Sequence, residues 1–264
     1  MDHLHLTAVL MGLVEGLTEF LPVSSTGHLI LAGELLNFEG ELAKTFEVFI
    51  QLGAILAVLL VYRRTFTGLL QKSDGPGFRG PQGIFLLALT TLPGLLAGFF
   101  AHGFIKEHLF NSFTVALGLA IGAIWILISE RFLRPAAPRE LEGLTWKTAL
   151  GIGLFQCLAL WPGMSRSSST ILGGLWLGLS RKSATEYSFF AAVPLLAAAC
   201  VYDLWKNMDL LTAETLPLFG IGFVVAFFSA WLAIRFLIRF VAHHTLAVFG
   251  WYRLVVAALV LWLM

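Results

Sequence analysis

Charged side chains are scarce in this sequence. Asp, Glu, Lys and Arg account for 12% of the 264 residues, and hydrophobic residues account for 58%. A soluble globular domain is about 25% charged. The shortage of charge excludes a soluble domain and predicts a polytopic membrane protein. The net charge of +1 gives no indication of nucleic-acid binding.

Cysteine is also rare. Cys157 and Cys200 are the only two, and both lie in apolar stretches. We therefore expect small buried thiols, with neither a disulfide framework nor a cysteine metal site. A basic region is missing before the first apolar run, which Glu15 and Glu19 interrupt. We therefore expect no cleavable signal peptide.

Six apolar windows are long enough to cross a bilayer, which takes about 20 residues. They cover 43–62, 84–101, 112–133, 185–205, 216–238 and 246–264. Two further apolar regions, 5–36 and 148–180, are interrupted by Pro, Gly, Ser and Thr. Each predicts a re-entrant hairpin, with its non-helical backbone buried in protein. The sequence thus predicts an all-α integral membrane protein with six full transmembrane helices and two re-entrant helical hairpins.

Basic residues predict the orientation of this arrangement. Twelve Lys and Arg residues lie on one side of the predicted membrane arrangement, and three lie on the other. The positive-inside rule therefore places the side with twelve in the cytoplasm. The first hairpin then opens toward the outside. Similar motifs recur about 140 residues apart, for example at 12–17 and 153–158. We therefore expect one transmembrane domain, 1–264, built from inverted repeats of about 5–133 and 146–264. In such folds the polar site lies where the repeats meet.

The first hairpin carries two carboxylates, three hydroxyls and an imidazole, groups that usually mark a functional site at membrane depth. Glu15 and Glu19 are four residues apart, so a helix places both on one face. A divalent cation, Mg²⁺ or Ca²⁺, would relieve their repulsion, whereas the alternative is a capping or solvated pair. The other groups are Ser24, Ser25, Thr26 and His28. The hydroxyls either cap the following helix or supply a nucleophile that His28 activates, and Ser24 and Thr26 are also predicted to bind substrate.

The second hairpin carries the segment Pro162-Gly-Met-Ser-Arg-Ser-Ser-Ser-Thr170. A Ser/Thr-rich turn that leads into a helix presents backbone N–H groups to an anion, and Arg166 would add bidentate phosphate contacts. We therefore predict a phosphate-binding site. An arginine that only neutralises Glu15 or Glu19 is the alternative. The predicted substrate-binding side chains of this region are Ser165, Ser167, Thr170 and Gln156, the last being the repeat partner of Glu15.

Three further polar residues lie inside predicted spans: Glu47, Gln51 and Arg253. We expect each to be buried and paired, since an isolated charge is costly in a membrane. The pattern assigns them neither a partner nor a role.

These motifs resemble the bacterial undecaprenyl-diphosphate phosphatase family, the integral-membrane enzymes associated with bacitracin resistance. The resemblance covers the chain from end to end. The family's Glu-rich motif falls on Glu15 and Glu19, and its Pro-Gly-x-Ser-Arg-Ser-x-x-Thr motif is matched by 162–170, with a minor departure at Ser168 and Ser169. The most similar segments are 15–28, 44–48, 51–53, 155–163 and 165–167.

The resemblance implies hydrolysis of undecaprenyl diphosphate to undecaprenyl phosphate and inorganic phosphate. This reaction recycles the carrier lipid for peptidoglycan and other cell-wall polymers. It confers resistance to bacitracin, which competes indirectly by binding the substrate. The resemblance also implies a homodimer in the bacterial cytoplasmic (inner) membrane, with the active site toward the outer face.

The implied mechanism uses both hairpins. Glu15 and Glu19 would hold Mg²⁺ or Ca²⁺ against the diphosphate, and Arg166 with its neighbouring hydroxyls would stabilise the transition-state charge. Either Ser25 or His28 is the nucleophile, or His28 is the base that activates a serine or water. The prenyl tail would lie between helices, in contact with lipid.

Two other classes of protein share some of these features. A polyprenyl-phosphate flippase or secondary transporter would use the same polar cavity, with the glutamates relaying protons and Arg166 binding the phosphate. A phosphatase of the unrelated acid-phosphatase type is disfavoured, because its motif requires histidine at position 172, which is Leu172. The cluster of hydroxyls, imidazole and guanidinium favours chemistry over transport.

Overall fold

The computed structural model of the chain describes residues 2–72, 77–109, 111–133 and 137–263. These residues are almost entirely helical, and an isolated bridge between Arg139 and Leu179 is the only β pairing among them. The all-α prediction is therefore confirmed. The α-helices are α1 (Asp2–Thr18), α2 (Ser25–Leu35), α3 (Glu41–Val61), α4 (Arg63–Leu69), α5 (Gly80–His108), α6 (Ser112–Phe132), α7 (Trp146–Gln156), α8 (Arg166–Trp176), α9 (Arg181–Lys206), α10 (Leu216–His243) and α11 (Ala247–Leu263).

Five of these helices are long and apolar enough to cross a membrane: α3, the Gly80–Ala101 part of α5, α6, α9 and α10. They coincide with the first five predicted spans and make the chain a multi-pass membrane protein. The sixth predicted span, 246–264, corresponds to α11, which has 17 residues and is shorter than the other five. Residue 264 lies outside the described part of the chain.

One predicted loop is partly helical. The segment 63–83 lies between the first two predicted spans, 43–62 and 84–101, but α4 occupies its beginning and α5 starts before its end. Tyr62 ends α3 with a φ of −107° and a ψ of 26°, which turns the chain into α4. A helix of seven residues is not stable alone, and α4 is stabilised by packing on α5, where Leu69 is buried.

Two pairs of helices are separated by short non-helical breaks. The chain leaves helical structure between α1 and α2, and again between the 3₁₀ turn Cys157–Leu160 and α8. Ser24 and Ser165 are the N-cap residues of the second helix of each pair, with φ angles of 73° and 70°. The Ser24 side chain accepts the Gly27 N–H at 3.4 Å, and the Ser165 side chain accepts the Ser168 N–H at 3.2 Å. These caps satisfy helix N–H groups that would otherwise lack partners.

The helices that carry the two breaks are packed in matching ways. α10 lies against α1 and α3, as α5 lies against α7 and α9, and α3 contacts α9 directly. Phe20 beside the first break and Ile171 on α8 belong to the same buried cluster, together with Phe189 on α9. This packing brings the two breaks, which are about 140 residues apart in sequence, to one place inside the bundle.

Candidate active site

The polar residues of both breaks meet in a buried region. Ser167 Oγ donates a hydrogen bond of 2.7 Å to the carbonyl of Leu21, which joins the two breaks directly. Glu15, Glu19 and Ser25 are buried on one side of this junction, and Ser165 is buried on the other. Buried polar groups require partners, and most of those in this region have them.

Arg166 and Glu19 form the central ion pair. Arg166 Nη2 lies 2.9 Å from Glu19 Oε1, and both side chains are at most 9% exposed. Arg166 Nη1 donates to the carbonyl of Ser188 at 3.0 Å and to its hydroxyl at 3.3 Å. The guanidinium is thereby fixed between α1 and α9, while its buried Nε has no partner among the described residues. This nitrogen is a donor that a bound anion can use.

Ser25 hydrogen-bonds to the other oxygen of the same carboxylate. Its Oγ donates to Glu19 Oε2 at 2.5 Å, while Glu19 Oε1 accepts from Arg166. A hydroxyl bonded to a carboxylate has the geometry of a nucleophile beside its general base. From the sequence, His28 was one candidate for the group that activates a serine, but in the structure the partner of Ser25 is Glu19.

His28 is held by two other groups. Its Nδ1 lies 2.8 Å from the carbonyl of Ser24, which can only accept, so Nδ1 carries a proton. Its Nε2 lies 2.7 Å from the hydroxyl of Tyr252, and the two rings stack with centroids 5.6 Å apart. Both nitrogens are therefore engaged, and His28 must release Tyr252 to act as a base or nucleophile. Tyr252 was not predicted, because the only sequence signal for it is a hydroxyl in an apolar helix.

Glu15 differs from Glu19 in having no hydrogen-bond partner among the described residues. Both of its carboxylate oxygens are buried without a hydrogen bond among the described residues. Its carboxyl interacts electrostatically with Glu19, Glu47 and Arg166. Unsatisfied buried carboxylate oxygens are rare in proteins and are suited to a cation.

The residues present fit a metal ion that is shared with a substrate. The described part of the chain contains no group of three or more His, Cys, Asp or Glu side chains placed to hold a metal alone. Mg²⁺, however, typically binds one or two carboxylates together with waters and substrate phosphates. The free oxygens of Glu15 beside Glu19 meet that requirement, and the metal assignment stays a prediction.

The hydroxyls on both sides of Arg166 in the sequence mostly stabilise the turn. Ser165 Oγ lies 3.0 Å from Ser167 Oγ, and Thr170 Oγ1 lies 2.6 Å from Ser188 Oγ, which itself contacts Arg166. Ser188 was not predicted as a site residue, since a single serine in an apolar span gives only a weak signal. The structure places Ser165, Ser167 and Thr170 at the site.

Thr26 and Gln156, also predicted to bind substrate, are not joined by a hydrogen bond to Arg166, Glu19 or the hydroxyls around them in the described structure. Thr26 is half-buried in the first turn of α2, next to Ser25. Gln156 is buried on α7, where its amide nitrogen donates to the carbonyl of Thr90 at 3.1 Å. Its side chain contacts α5 in this arrangement, and its Oε1 has no partner among the described residues.

Arg253 holds the two breaks together from α11. It is fully buried and donates to the carbonyls of Gly163 (2.8 Å) and Gly118 (3.2 Å) and to Ser168 Oγ (3.0 Å). Arg253 Nη1 also donates a longer hydrogen bond, of 3.5 Å, to the carbonyl of Pro22 in the first break. A buried, paired arginine was expected from the sequence, but its partners could not be predicted because backbone carbonyls have no sequence signature.

Of the two cysteines, Cys200 is buried as expected from the sequence, whereas Cys157 is more exposed than expected. Cys157 is half-buried, Cys200 is buried, and both are free thiols. Cys200 Sγ lies 3.1 Å from the carbonyl of Val48 and 4.0 Å from Gln51 Oε1, which gives Gln51 a neighbour on α9.

Together these features define a class of protein. It is a multi-pass helical membrane protein with a buried guanidinium, two carboxylates and a serine hydroxyl. The first residues of α2 and α8, Ser25 and Arg166, both belong to this centre. Helix N-termini favour anions, so the centre is suited to a phosphate group.

Comparison with known proteins shows the family. The model of the bacitracin resistance protein BacA family matches residues 8–259, and the chain belongs to this family. The undecaprenyl-diphosphatase of Maridesulfovibrio salexigens is 54% identical over 255 residues, 97% of each chain. That of Nitratidesulfovibrio vulgaris strain DP4 is 55% identical over 261 residues, 98% of each chain. That of Methylococcus capsulatus is 51% identical over 256 residues, 97% of this chain and 93% of the other. The resemblance seen in the motifs is confirmed.

Proposed function

We propose that this protein hydrolyses undecaprenyl diphosphate to undecaprenyl phosphate and inorganic phosphate. The observation that carries the proposal is the hydrogen-bonded series Arg166, Glu19 and Ser25, which places an anion-binding donor beside a polarised hydroxyl. Relatives that are 51–55% identical over nearly the whole chain carry the name of this activity. The alternative, a flippase or secondary transporter, accounts for the buried charges but gives no role to the hydroxyl bonded to Glu19.

The residues of the series have distinct roles in this reaction. Ser25 Oγ attacks the terminal phosphorus and passes its proton to Glu19 Oε2, while the bond to the bridging oxygen breaks and lipid monophosphate leaves. Water then releases phosphate from Ser25. Arg166 binds the non-bridging oxygens and stabilises their charge in the transition state, since phosphoryl transfer depends mainly on positioning and charge stabilisation.

Glu15 and Glu19 would hold the divalent cation, Mg²⁺ or Ca²⁺. When bound, such an ion neutralises charge on the diphosphate and orients it for displacement. Glu15 is the better placed of the two ligands, because neither of its oxygens is engaged by a protein group in the described structure. Glu19, by contrast, is shared with Arg166 and Ser25.

The arrangement in the membrane belongs to the same proposal. We propose six full spans, with α11 as the sixth, and two re-entrant hairpins formed by α1 with α2 and by α7 with α8. The matched packing of these hairpins against α10 and α5 supports inverted repeats of about 5–133 and 146–264 in one domain. Together with the charge bias, it supports a site that opens to the outer face of the cytoplasmic membrane.

The cellular role follows from the proposed reaction. The product is the carrier lipid of peptidoglycan and other cell-wall polymers, so hydrolysis recycles it. Faster recycling opposes bacitracin, which binds the diphosphate substrate. We further propose a homodimer and a prenyl tail that lies along the exposed apolar side chains between helices.

Metal removal tests the function directly. Purified wild-type protein in detergent should release phosphate from undecaprenyl diphosphate with Mg²⁺ or Ca²⁺ and lose this activity in EDTA. Glu15→Gln should need about ten-fold more metal for half-maximal rate, because one of two carboxylate charges is lost. A colorimetric phosphate assay over a metal titration measures both results. No release by folded wild-type protein would overturn the phosphatase and favour the transporter, because detergent provides no second compartment.

Adjacent serines test the nucleophile. Ser25→Ala should lower kcat by roughly 10²–10⁴-fold, because the hydroxyl bonded to Glu19 is removed. Ser24→Ala removes only a helix cap and should lower stability by about 1 kcal/mol while leaving kcat within a few-fold. Phosphate release and thermal unfolding in detergent measure the two effects. Equal loss of kcat in both variants would contradict the role assigned to Ser25.

A further inference from the structure

A cavity with polar lining residues lies away from the buried centre around Arg166. It has a volume of about 450 Å³, which is within the range of about 300–1,000 Å³ found for ligand pockets. It is bounded by α4, by the segment before α5 and by the 3₁₀ turn Leu141–Gly143. Its polar lining side chains are Arg64, Thr65, Gln71, Lys72, Arg79 and Glu142.

Positive charge dominates this cavity. Among the described residues, three cationic side chains line it, against the single carboxylate of Glu142, whose Oε1 lies 3.6 Å from Arg79 Nη2. In the described ranges neither Arg64 nor Lys72 forms a salt bridge. Two cations without counterions, beside hydroxyl and amide donors, are suited to an anion with several oxygens.

One wall of the cavity is fixed by packing and hydrogen bonding within the protein. Phe78 is buried, stacks on Phe190 with centroids 5.0 Å apart, and contacts Tyr187 edge to face at 5.6 Å. Its N–H donates to the carbonyl of Leu141 at 3.3 Å, which joins the two sides of the cavity. Gly77 has a φ of 94°, and a Cβ there would lie 2.7 Å from the Glu142 Cα. A preformed wall reduces the ordering that a ligand must impose.

The cavity is remote from the proposed reaction. Arg64 follows the end of α3, whereas Glu47, which interacts with Glu15, lies 17 residues earlier in the sequence. At 1.5 Å per residue, this separation corresponds to roughly 25 Å along a helix. Arg64, Lys72 and Arg79 also belong to the set of basic residues that the charge bias places on the cytoplasmic side.

We propose that this cavity binds the phosphate group of an anionic ligand, through Arg64 and Lys72 with support from Arg79. Two sources share that chemistry: the headgroup of an anionic phospholipid in the cytoplasmic leaflet and free inorganic phosphate. Basic pockets at the cytoplasmic end of membrane helices attract anionic lipids. The site is independent of the proposed phosphatase activity.

Binding to full-length protein in detergent tests this site. The probes are phosphatidic acid, phosphatidylcholine and inorganic phosphate, each followed by native mass spectrometry or by thermal shift. Phosphatidic acid should bind at least about ten-fold more tightly than zwitterionic phosphatidylcholine. The double variant Arg64→Gln/Lys72→Gln should lose at least about ten-fold in affinity for it. Arg63→Gln, an exposed neighbour that does not line the cavity, should bind as wild type does.

The outcomes distinguish the two sources and can overturn the site. Competition by millimolar inorganic phosphate would identify free phosphate as a ligand, whereas binding of phosphatidic acid without such competition would identify the lipid headgroup. Equal binding of phosphatidylcholine, or an equal loss in Arg63→Gln, would overturn the site. The double variant changes exposed side chains only, so its unfolding temperature and phosphate release in detergent should match wild type and show that it is folded.

Discussion

Arg166→Ala is expected to reduce phosphate release by at least roughly 10³-fold, the effect typical of losing an arginine that stabilises a transferring phosphoryl group. Arg166 is the cation that contacts Glu19 directly, and its unpartnered Nε can bind substrate oxygen. Arg166→Lys keeps the positive charge but loses the planar guanidinium that binds phosphate through two donors. Its rate should therefore lie between those of Arg166→Ala and the wild-type protein. Initial rates with undecaprenyl diphosphate at saturating metal measure both variants.

A control separates catalysis from the loss of an ion pair. Arg166→Ala leaves Glu19 buried without its cation, so the protein should also unfold at a lower temperature. Arg181→Ala removes a different ion pair, in which Arg181 Nη2 lies 2.6 Å from Glu130 Oε2. It should lower stability while leaving kcat within a few-fold. Near-wild-type kcat for Arg166→Ala, or an equal fall for Arg181→Ala, would refute the role of Arg166.

Arg253→Met is expected to produce the largest loss of stability, about 3 kcal/mol or more. The substitution retains most of the side-chain volume but removes every donor to Gly163, Gly118 and Ser168. Two buried carbonyls are then left without this partner, and the breaks of the two hairpins lose their common anchor. The unfolding temperature in detergent should fall by on the order of 10 °C.

The matched control for Arg253 is an arginine on the surface. Arg131 lies exposed at the end of α6, so Arg131→Met should change the unfolding temperature by no more than about 2 °C. Phosphate release by Arg253→Met should also fall, because the position of Arg166 depends on the break that Arg253 holds. Similar unfolding temperatures for the two variants would show that Arg253 is not an anchor.

Local features of the sequence determined the helical class and the position of the polar centre. Hydropathy over about 20 residues predicted the long helices, since a membrane-crossing helix must be apolar along its own length. The breaks at Ser24 and Ser165 were predicted from Pro, Gly and hydroxyl residues, because helix interruption depends on neighbouring residues. The clusters around Glu15 and Arg166 were predicted because charge is costly in an apolar segment.

The tertiary structure alone decided which of these groups pair. Arg166 contacts Glu19 across 147 residues, and His28 contacts Tyr252 across 224 residues. Arg253 binds backbone carbonyls, a partner that every residue offers and no motif marks. Even the contact of Ser25 with Glu19, only six residues away, depends on the angle between α1 and α2. Sequence periodicity describes one helix at a time, whereas these contacts arise from the packing of several helices around the two breaks.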